Sequence, residues 1–200
     1  MKKYRLTEET TKVGNRTLYR IQALRDFGNV KEGDIGGYIE SEKNLSQDGN
    51  AWVSGDARVY GNACVYGNAC VYGNARVYGD AWVSGDAWVS GDACVYGDAC
   101  VYGNARVSGD AWVYGNARVY GNADIKTTGD ICSMSGFGSE YRTTTAFRTK
   151  NGDVHVSCGC FQGNLEAFCQ RVESTHGNTL YGREYKKMIE MLKIHFEVEP

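Results

Sequence analysis

The chain has 200 residues, and its 22 lysine and arginine side chains are balanced by 24 aspartate and glutamate side chains, for a formal net charge of −2. Without an overall basic surface, nucleic acid is not an expected partner. No stretch reaches the roughly twenty apolar residues of a membrane span, and Met1–Leu6 lacks the apolar core of a signal peptide, so we expect a cytoplasmic protein with no membrane contact.

Residues 1–35 form the first segment, and their pattern predicts a small β structure. Two extended runs, Lys3–Leu6 and Thr17–Leu24, flank a turn near Gly14-Asn15. Such a segment fits a cap over the structure that follows, because the end of a repeat array would otherwise expose its core and strand edges.

Residues 53–124 repeat one six-residue unit twelve times: Val, Tyr or Ser, Gly, Asn or Asp, Ala, and a variable residue. A degraded copy follows at Ile125–Asp130. An even period keeps the alternation of a β-strand from copy to copy, and Gly in every unit excludes a helix. We expect Val and Ala to face inward, Gly with Asn or Asp to turn the corners, and the remaining two positions to face outward.

This pattern resembles the hexapeptide-repeat, left-handed parallel β-helix family. The resemblance implies three hexads, or eighteen residues, per coil. It covers 53–130, and a degraded first coil begins near Gly36, so we assign 36–135 to the β-helix. At this spacing Cys64 and Cys70 lie on adjacent faces, beyond the reach of a disulfide, which indicates free thiols in a reducing compartment.

Outward residues that are eighteen positions apart lie one above another on successive coils, so the sequence predicts stacked rows of side chains. One row is a ladder of tyrosines, and the rows beside it carry tryptophan and arginine. In one interpretation the stacked tyrosines stabilise the sheet to which they belong. In the other, the exposed aromatic face packs against a second copy of the chain in a homotrimer, or against another partner, and becomes buried there. The residues predicted for this partner face are Tyr60, Tyr78, Tyr96, Tyr114, Trp82, Trp88, Arg106 and Arg118.

Residues 136–200 lose the period and predict a small α+β module. A β-hairpin is expected over 141–161, with its turn at Asn151-Gly152. Asn164 is a helix N-cap and Gly177 a helix stop, and a second amphipathic helix is expected over about 183–196. The predicted fold is therefore a mainly β, left-handed parallel β-helix with an N-terminal cap and a C-terminal α+β module.

Several motifs resemble a group of hexapeptide-repeat proteins from phages and gut bacteria that carries no established activity. They are Asp34–Ser41, Gly136–Ser139, Arg142–Thr145, Cys158–Phe161, His176-Gly177 and Arg183–Tyr185. The resemblance implies a phage-encoded protein acting in the cytoplasm of a bacterial host. We expect a non-catalytic scaffold that antagonises host defence by sequestering a nucleotide-like signal or by blocking a host protein; a structural virion element is an alternative.

The module also holds the candidate site residues. Arg142, Thr143, Thr144, Thr145 and His176 would bind an anionic ligand, although an edge strand is the commoner explanation of the threonines. The alternative location for the ligand is between protomers, against the tyrosine, tryptophan and arginine rows of the solenoid. We expect no cofactor. The alternative is an enzyme using Cys158, Cys160 and His176, either around a zinc ion or with a cysteine nucleophile, whereas buried cysteines are also ordinary core residues.

The fold family implied by the repeats is rich in acyltransferases, most of which use a histidine projecting from the coils. Here the three histidines, His155, His176 and His195, all lie outside the repeats. We therefore assign no catalytic residue in the β-helix and keep an acyltransferase-like activity as an alternative.

Overall fold

The computed structural model describes residues 2–198 and contains a parallel β-solenoid of about five turns between two non-repeating ends. Met1, Glu199 and Pro200, which belong to the predicted cap and module, lie outside the described residues. Each hexad contributes a strand of two residues, from β4 to β16. These strands are β4 Trp52–Val53, β5 Arg58–Val59, β6 Cys64–Val65, β7 Cys70–Val71, β8 Arg76–Val77, β9 Trp82–Val83, β10 Trp88–Val89, β11 Cys94–Val95, β12 Cys100–Val101, β13 Arg106–Val107, β14 Trp112–Val113, β15 Arg118–Val119 and β16 Asp124–Ile125.

The strands pair in parallel with partners eighteen residues away, as the period predicts. Trp88, for example, pairs with Cys70 on one side and Arg106 on the other. Three sheets result, with the strand orders β5-β8-β11-β14, β16-β13-β10-β7-β4 and β15-β12-β9-β6. The predicted three hexads per coil are confirmed, and the left hand of the coil stays a prediction of the resemblance.

The interior of the solenoid is built from the repeated Val and Ala, which are buried in every copy. Gly at the corner adopts a positive φ throughout, for example +72° at Gly61. From Gly49 to Gly109 a Cβ on this residue would press against the backbone of the coil above; at Gly85 the gap to the nitrogen of Gly103 would be 2.9 Å. The repeat therefore requires glycine for its backbone angle and for the close approach of successive coils.

Backbone hydrogen bonds join each coil of the solenoid to the next, as where Trp88 N donates to Ala105 O at 2.9 Å. The first and last coils have backbone groups that no further coil can pair, and the two ends of the chain supply partners for them. At the first coil, Lys3 Nζ donates to Ala51 O at 2.8 Å. At the last coil, Arg118 N donates to Thr145 Oγ1 at 3.2 Å.

The N-terminal end is an antiparallel hairpin of β1 (Tyr4–Val13) and β2 (Arg16–Ala23), which pairs with β3 (Ile35–Ile39). Because β3 then pairs in parallel with β5, the hairpin extends a solenoid sheet. Trp52 occupies an outward position of the repeat but is buried, since Tyr4 and Phe27 pack edge-on against its ring.

The C-terminal end is a four-stranded antiparallel sheet with two helices. The strands are β17 (Ile131–Met134), β18 (Thr144–Arg148), β19 (Val154–Cys158) and β20 (Phe161–Asn164); the helices are α1 (Leu165–His176) and α2 (Leu180–His195). The predicted hairpin corresponds to β18 and β19, whereas β17 and β20 were not expected. Asn164 caps α1 by accepting a hydrogen bond from Ala167 N at 2.8 Å, and Gly177 ends it.

The sheet lies between the solenoid and the helices, and its strand β18 is buried on both faces. Phe147 belongs to the solenoid core, whereas its neighbour Ala146 belongs to the core beneath α1 and α2. This alternation follows from the two-residue period of a strand. The sheet therefore closes the last coil and holds the helical core against it.

Candidate functional site

A small cavity of about 170 Å³ lies within the C-terminal end, and we call it the module pocket. Its polar lining consists of Glu140, Arg142, Arg171 and His176, the hydroxyls of Ser139 and Thr175, and the thiols of Cys158 and Cys160. Aromatic and aliphatic side chains complete the lining, namely Phe161, Phe168, Val172 and Tyr185. A pocket with an apolar lining and few polar groups is the usual form of a small-molecule site.

One side of the module pocket is formed by side chains that share a face of α1. Phe168, Val172 and His176 follow one another at four-residue spacing on α1, and Tyr185 reaches the same space from α2. The His176 ring stacks on Tyr185 with 5.4 Å between centroids and a 26° interplanar angle, and Phe168 meets Tyr185 edge-on at 5.9 Å. The pocket therefore has an ordered aromatic wall.

The two cysteines occupy different backbone environments. Cys158 ends β19, but Cys160 lies in the turn to β20, so the second strand of the hairpin predicted over 141–161 ends before Cys160. Gly159 between them has a φ of +59°, which turns the chain. The structure still brings both thiols to the module pocket.

Hydroxyl groups are the hydrogen-bond partners of Cys158. Thr144 Oγ1 donates to its sulfur at 3.2 Å, and the Tyr185 hydroxyl lies at 3.8 Å. Burial, together with the neighbouring Cys158, raises the pKa of Tyr185 to about 12, so this phenol stays protonated at neutral pH. Neither partner can therefore act as a base that activates the thiol.

Only part of the predicted anion-binding set meets in one place. Arg142 and His176 both line the module pocket. Thr143 faces a different cleft and shares a hydrogen bond with the Ser135 hydroxyl at 2.7 Å. Thr144 and Thr145 are buried, and their hydroxyls are bonded to Cys158 and to Arg118 N. The three threonines do not form a common cradle, because strand alternation turns Thr144 to the opposite side from Thr145, and the hydroxyl of Thr145 is already bonded.

The predicted zinc ligands Cys158, Cys160 and His176 share the module pocket. Within residues 2–198, however, no three histidine, cysteine, aspartate or glutamate side chains are grouped closely enough to hold a metal ion. The zinc site stays a prediction.

A second depression, of about 420 Å³, lies where the last coil meets the module, and we call it the junction cleft. Its lining consists of Asn116, Arg118, Glu140, Tyr141, Arg142, Thr143 and Gly159. Arg142 and Glu140 line both this cleft and the module pocket. Sequence reasoning placed Arg118 in an outward row of the solenoid and did not identify Tyr141, because only the docking of the module brings them together.

The outer surface of the solenoid carries the predicted aromatic rows. Tyr60, Tyr78, Tyr96 and Tyr114 stack with centroid separations of 5.0, 5.0 and 5.6 Å. The other predicted contact residues lie on the remaining two faces: Trp82 packs edge-on against Tyr66, and Arg106 lies 5.1 Å from the Trp88 ring centroid. The predicted residues therefore do not form a single partner face.

Comparisons with known proteins support a repeat β-solenoid. A family model described as the YdcK β-solenoid repeat matches residues 51–67, 57–73, 69–85, 99–115 and 111–123. Over 61 residues the chain is 39% identical to a protein of Escherichia coli (strain K12) named "Uncharacterized acetyltransferase YdcK". That match covers 26% of this chain and 19% of the relative, so the chain spans about a fifth of that protein. The implied phage origin and the resemblance of the C-terminal motifs stay predictions.

Among residues 2–198, neither helix combines the length and apolar character needed to cross a bilayer.

Proposed function

We propose that the protein is a non-catalytic binding scaffold whose C-terminal end holds a small, nucleotide-like ligand. The observation that carries this proposal is the module pocket, where the cationic side chains Arg142 and Arg171 stand at an aromatic lining. The solenoid supplies a rigid support, because its close-packed Val and Ala interior fixes each coil on the next.

The lining indicates the chemistry of the ligand. Phe161, Phe168 and the stacked pair of His176 and Tyr185 offer apolar and aromatic surface to a planar ring. Arg142 supplies a guanidinium that can form paired hydrogen bonds to a phosphate or carboxylate. A planar ring joined to an anionic group satisfies both parts, and a nucleotide has this composition.

The proposed biological role is sequestration. A binder that holds a nucleotide-like signal intact lowers its free concentration, as a phage-encoded antagonist of host defence would need to do. Two alternative roles need no ligand in the module pocket. The protein would either block a host protein through the aromatic solenoid surface or serve as a structural virion element.

Catalysis is the rival proposal. The name of the relative from Escherichia coli includes an acetyltransferase activity, but the match covers 19% of that protein. The repeats of the present chain contain no histidine, and Cys158 is bonded to the hydroxyls of Thr144 and Tyr185. A non-catalytic role is therefore the better-supported proposal.

Isothermal titration with AMP, GMP, UMP and CMP tests the proposal, followed by mass spectrometry of the recovered nucleotide. We expect one site per chain for at least one nucleotide, recovery of that nucleotide intact, and an affinity loss of about tenfold in Arg142→Gln. Arg76→Gln removes an exposed arginine of the solenoid and is the matched control.

Absence of binding to the wild-type protein would contradict the proposal. Chemical conversion of the nucleotide, or consumption of acetyl-CoA, would identify an enzyme instead. Native mass spectrometry adds a further criterion, since one zinc ion per chain that disappears in Cys158→Ser would favour the metal-site alternative.

A further inference from the structure

The junction cleft combines residues from two parts of the chain, the repeat solenoid and the non-repeating C-terminal module. Arg118 comes from the last complete coil, whereas Tyr141, Arg142 and Thr143 belong to the segment that leads into β18. The hydrogen bond from Arg118 N to Thr145 Oγ1 fixes the coil against the strand. The two arginines therefore reach the same concave space from different supports.

The positive charge in this cleft is only weakly compensated. Arg142 has one acidic neighbour, Glu140, whose Oε2 lies 3.7 Å from Nη2, and both side chains are more than half exposed. Within the described part of the chain, no carboxylate lies within ion-pair distance of Arg118. An anion entering the cleft would meet two guanidinium groups and a single screened carboxylate.

Tyr141 supplies an independent sign of function. Its φ is +53°, in the left-handed region that a bulky residue rarely adopts, and its side chain is 68% exposed. Glycine would meet the backbone requirement without strain, and an exposed ring contributes little packing to offset it. Strain retained at an exposed tyrosine beside a polar cleft is typical of a binding residue.

We infer that the junction cleft binds the anionic group of the ligand whose ring occupies the module pocket, with Arg118 and Tyr141 as additional binding residues. Arg142 lines both spaces, so its guanidinium lies where the ring and the anion of one molecule would join. The inference rests on the proposed function and extends it, because it assigns the phosphate-like end of the ligand to the end of the solenoid.

Glu140 has a defined role in this arrangement. Its carboxylate is the acidic group that lines both spaces, and it contacts the arginine that the anion would use. A bound phosphate must therefore displace Glu140 from Arg142 or lie close to a like charge. Removing that carboxylate charge should strengthen binding of an anionic ligand and leave binding of a neutral one unchanged.

The experiment compares AMP with adenosine, which lacks the phosphate, by titration into the full chain. We expect AMP to bind the wild-type protein at least tenfold more tightly than adenosine. Arg118→Gln should reduce AMP affinity about tenfold without changing adenosine affinity, and Glu140→Gln should raise AMP affinity severalfold. Arg76→Gln should leave both affinities unchanged, and unchanged melting temperatures establish that the variants are folded.

The outcomes separate the two claims. Equal affinity for AMP and adenosine, or an Arg118→Gln variant that binds AMP like the wild type, would overturn the junction-cleft inference while the module pocket stands. Equal loss of both ligands in Arg118→Gln would show a purely structural effect and would also overturn it. Tyr141→Gly gives a second criterion, since it should weaken AMP binding without lowering stability. A wild-type protein that binds neither compound would refute the proposed function itself.

Discussion

Phe147 stands edge-on against Tyr120, with 5.2 Å between the ring centroids and an 88° angle between the ring planes. Tyr120 belongs to the last hexads of the solenoid, and its hydroxyl donates to Val156 O in β19 at 3.1 Å. Through these two contacts Tyr120 joins the final coil to two strands of the module. The junction cleft lies beside this joint, so its shape depends on the docking.

Replacing Phe147 by alanine should uncouple the module from the last coil. Phe147 is fully buried in the solenoid core, and removing a buried phenylalanine costs about 3–5 kcal/mol of unfolding free energy. Urea denaturation followed by circular dichroism measures this loss. Phe137→Ala, at a ring that is 46% exposed, is the matched control and should cost less than about 1 kcal/mol. Equal losses in the two variants would mean that Phe147 does not fill the end of the solenoid.

Substituting two different glycines of the repeat distinguishes the cost of backbone strain from the cost of a steric clash between coils. Gly85 and Gly115 have φ values of +66° and +62°, but only at Gly85 would a Cβ meet the next coil, at 2.9 Å. Gly115→Ala should cost about 1–2 kcal/mol for the left-handed backbone alone. Gly85→Ala should cost measurably more, since successive coils must move apart. Thermal unfolding of the two variants tests the difference, and similar melting temperatures would contradict the coil spacing.

The sequence predicts the solenoid well because the repeat specifies both register and orientation. Every Val from Val53 to Val119 is inward, and one period determines all of these positions. The short strands β17 and β20 carry no such pattern. Each is only four residues long, and pairing with the hairpin, rather than local preference, makes Phe161–Asn164 a strand before the helix cap.

The candidate site is harder to predict than the solenoid, because it forms between segments. Arg142 and His176 could be identified as site residues from their types, and both line the module pocket. Arg118 has the same repeat position as Arg106, and nothing in the hexad distinguishes the two. Only the docking of β18 on the last coil places Arg118 in a cleft.

Stability should fall in alkaline solution, in part because of Tyr120. Burial raises the pKa of Tyr120 to about 12, whereas a tyrosine in the unfolded chain titrates near 10. Between these values the unfolded chain has released a proton that the folded chain retains. The stabilisation of the folded state by protonated Tyr120 is therefore fully present below pH 10 and is lost as pH rises towards 12.

Tyr120→Phe tests this pH dependence. The variant loses the hydrogen bond to Val156 O, which should cost about 1 kcal/mol at pH 8. Its unfolding free energy should then decline less steeply than that of the wild type between pH 10 and 11.5. Parallel declines, measured by urea denaturation at closely spaced pH values, would show that Tyr120 does not titrate differently in the folded state.

We propose a homotrimer formed through the tyrosine ladder, and light scattering tests it. The exposed aromatic surface of one face includes Trp112 and Tyr114, which are 50% and 49% exposed. A trimer would have three times the 22.0 kDa chain mass. Tyr96→Glu should place a charge within the ladder and yield monomers, whereas Tyr72→Glu alters another face and should leave the trimer intact. A wild-type protein that stays monomeric at micromolar concentration would assign the ladder to sheet stabilisation or to another partner.

Backbone NMR of the wild-type protein titrated with AMP tests the binding proposal most directly. The account predicts saturable amide shift changes concentrated at Cys160, Phe161 and His176 around the module pocket, with further changes at Arg118, Tyr141 and Gly159 in the junction cleft. Adenosine should reproduce the first set and not the second. Changes confined to the solenoid faces, or no changes at millimolar AMP, would contradict the assignment of the C-terminal end as a ligand-binding site.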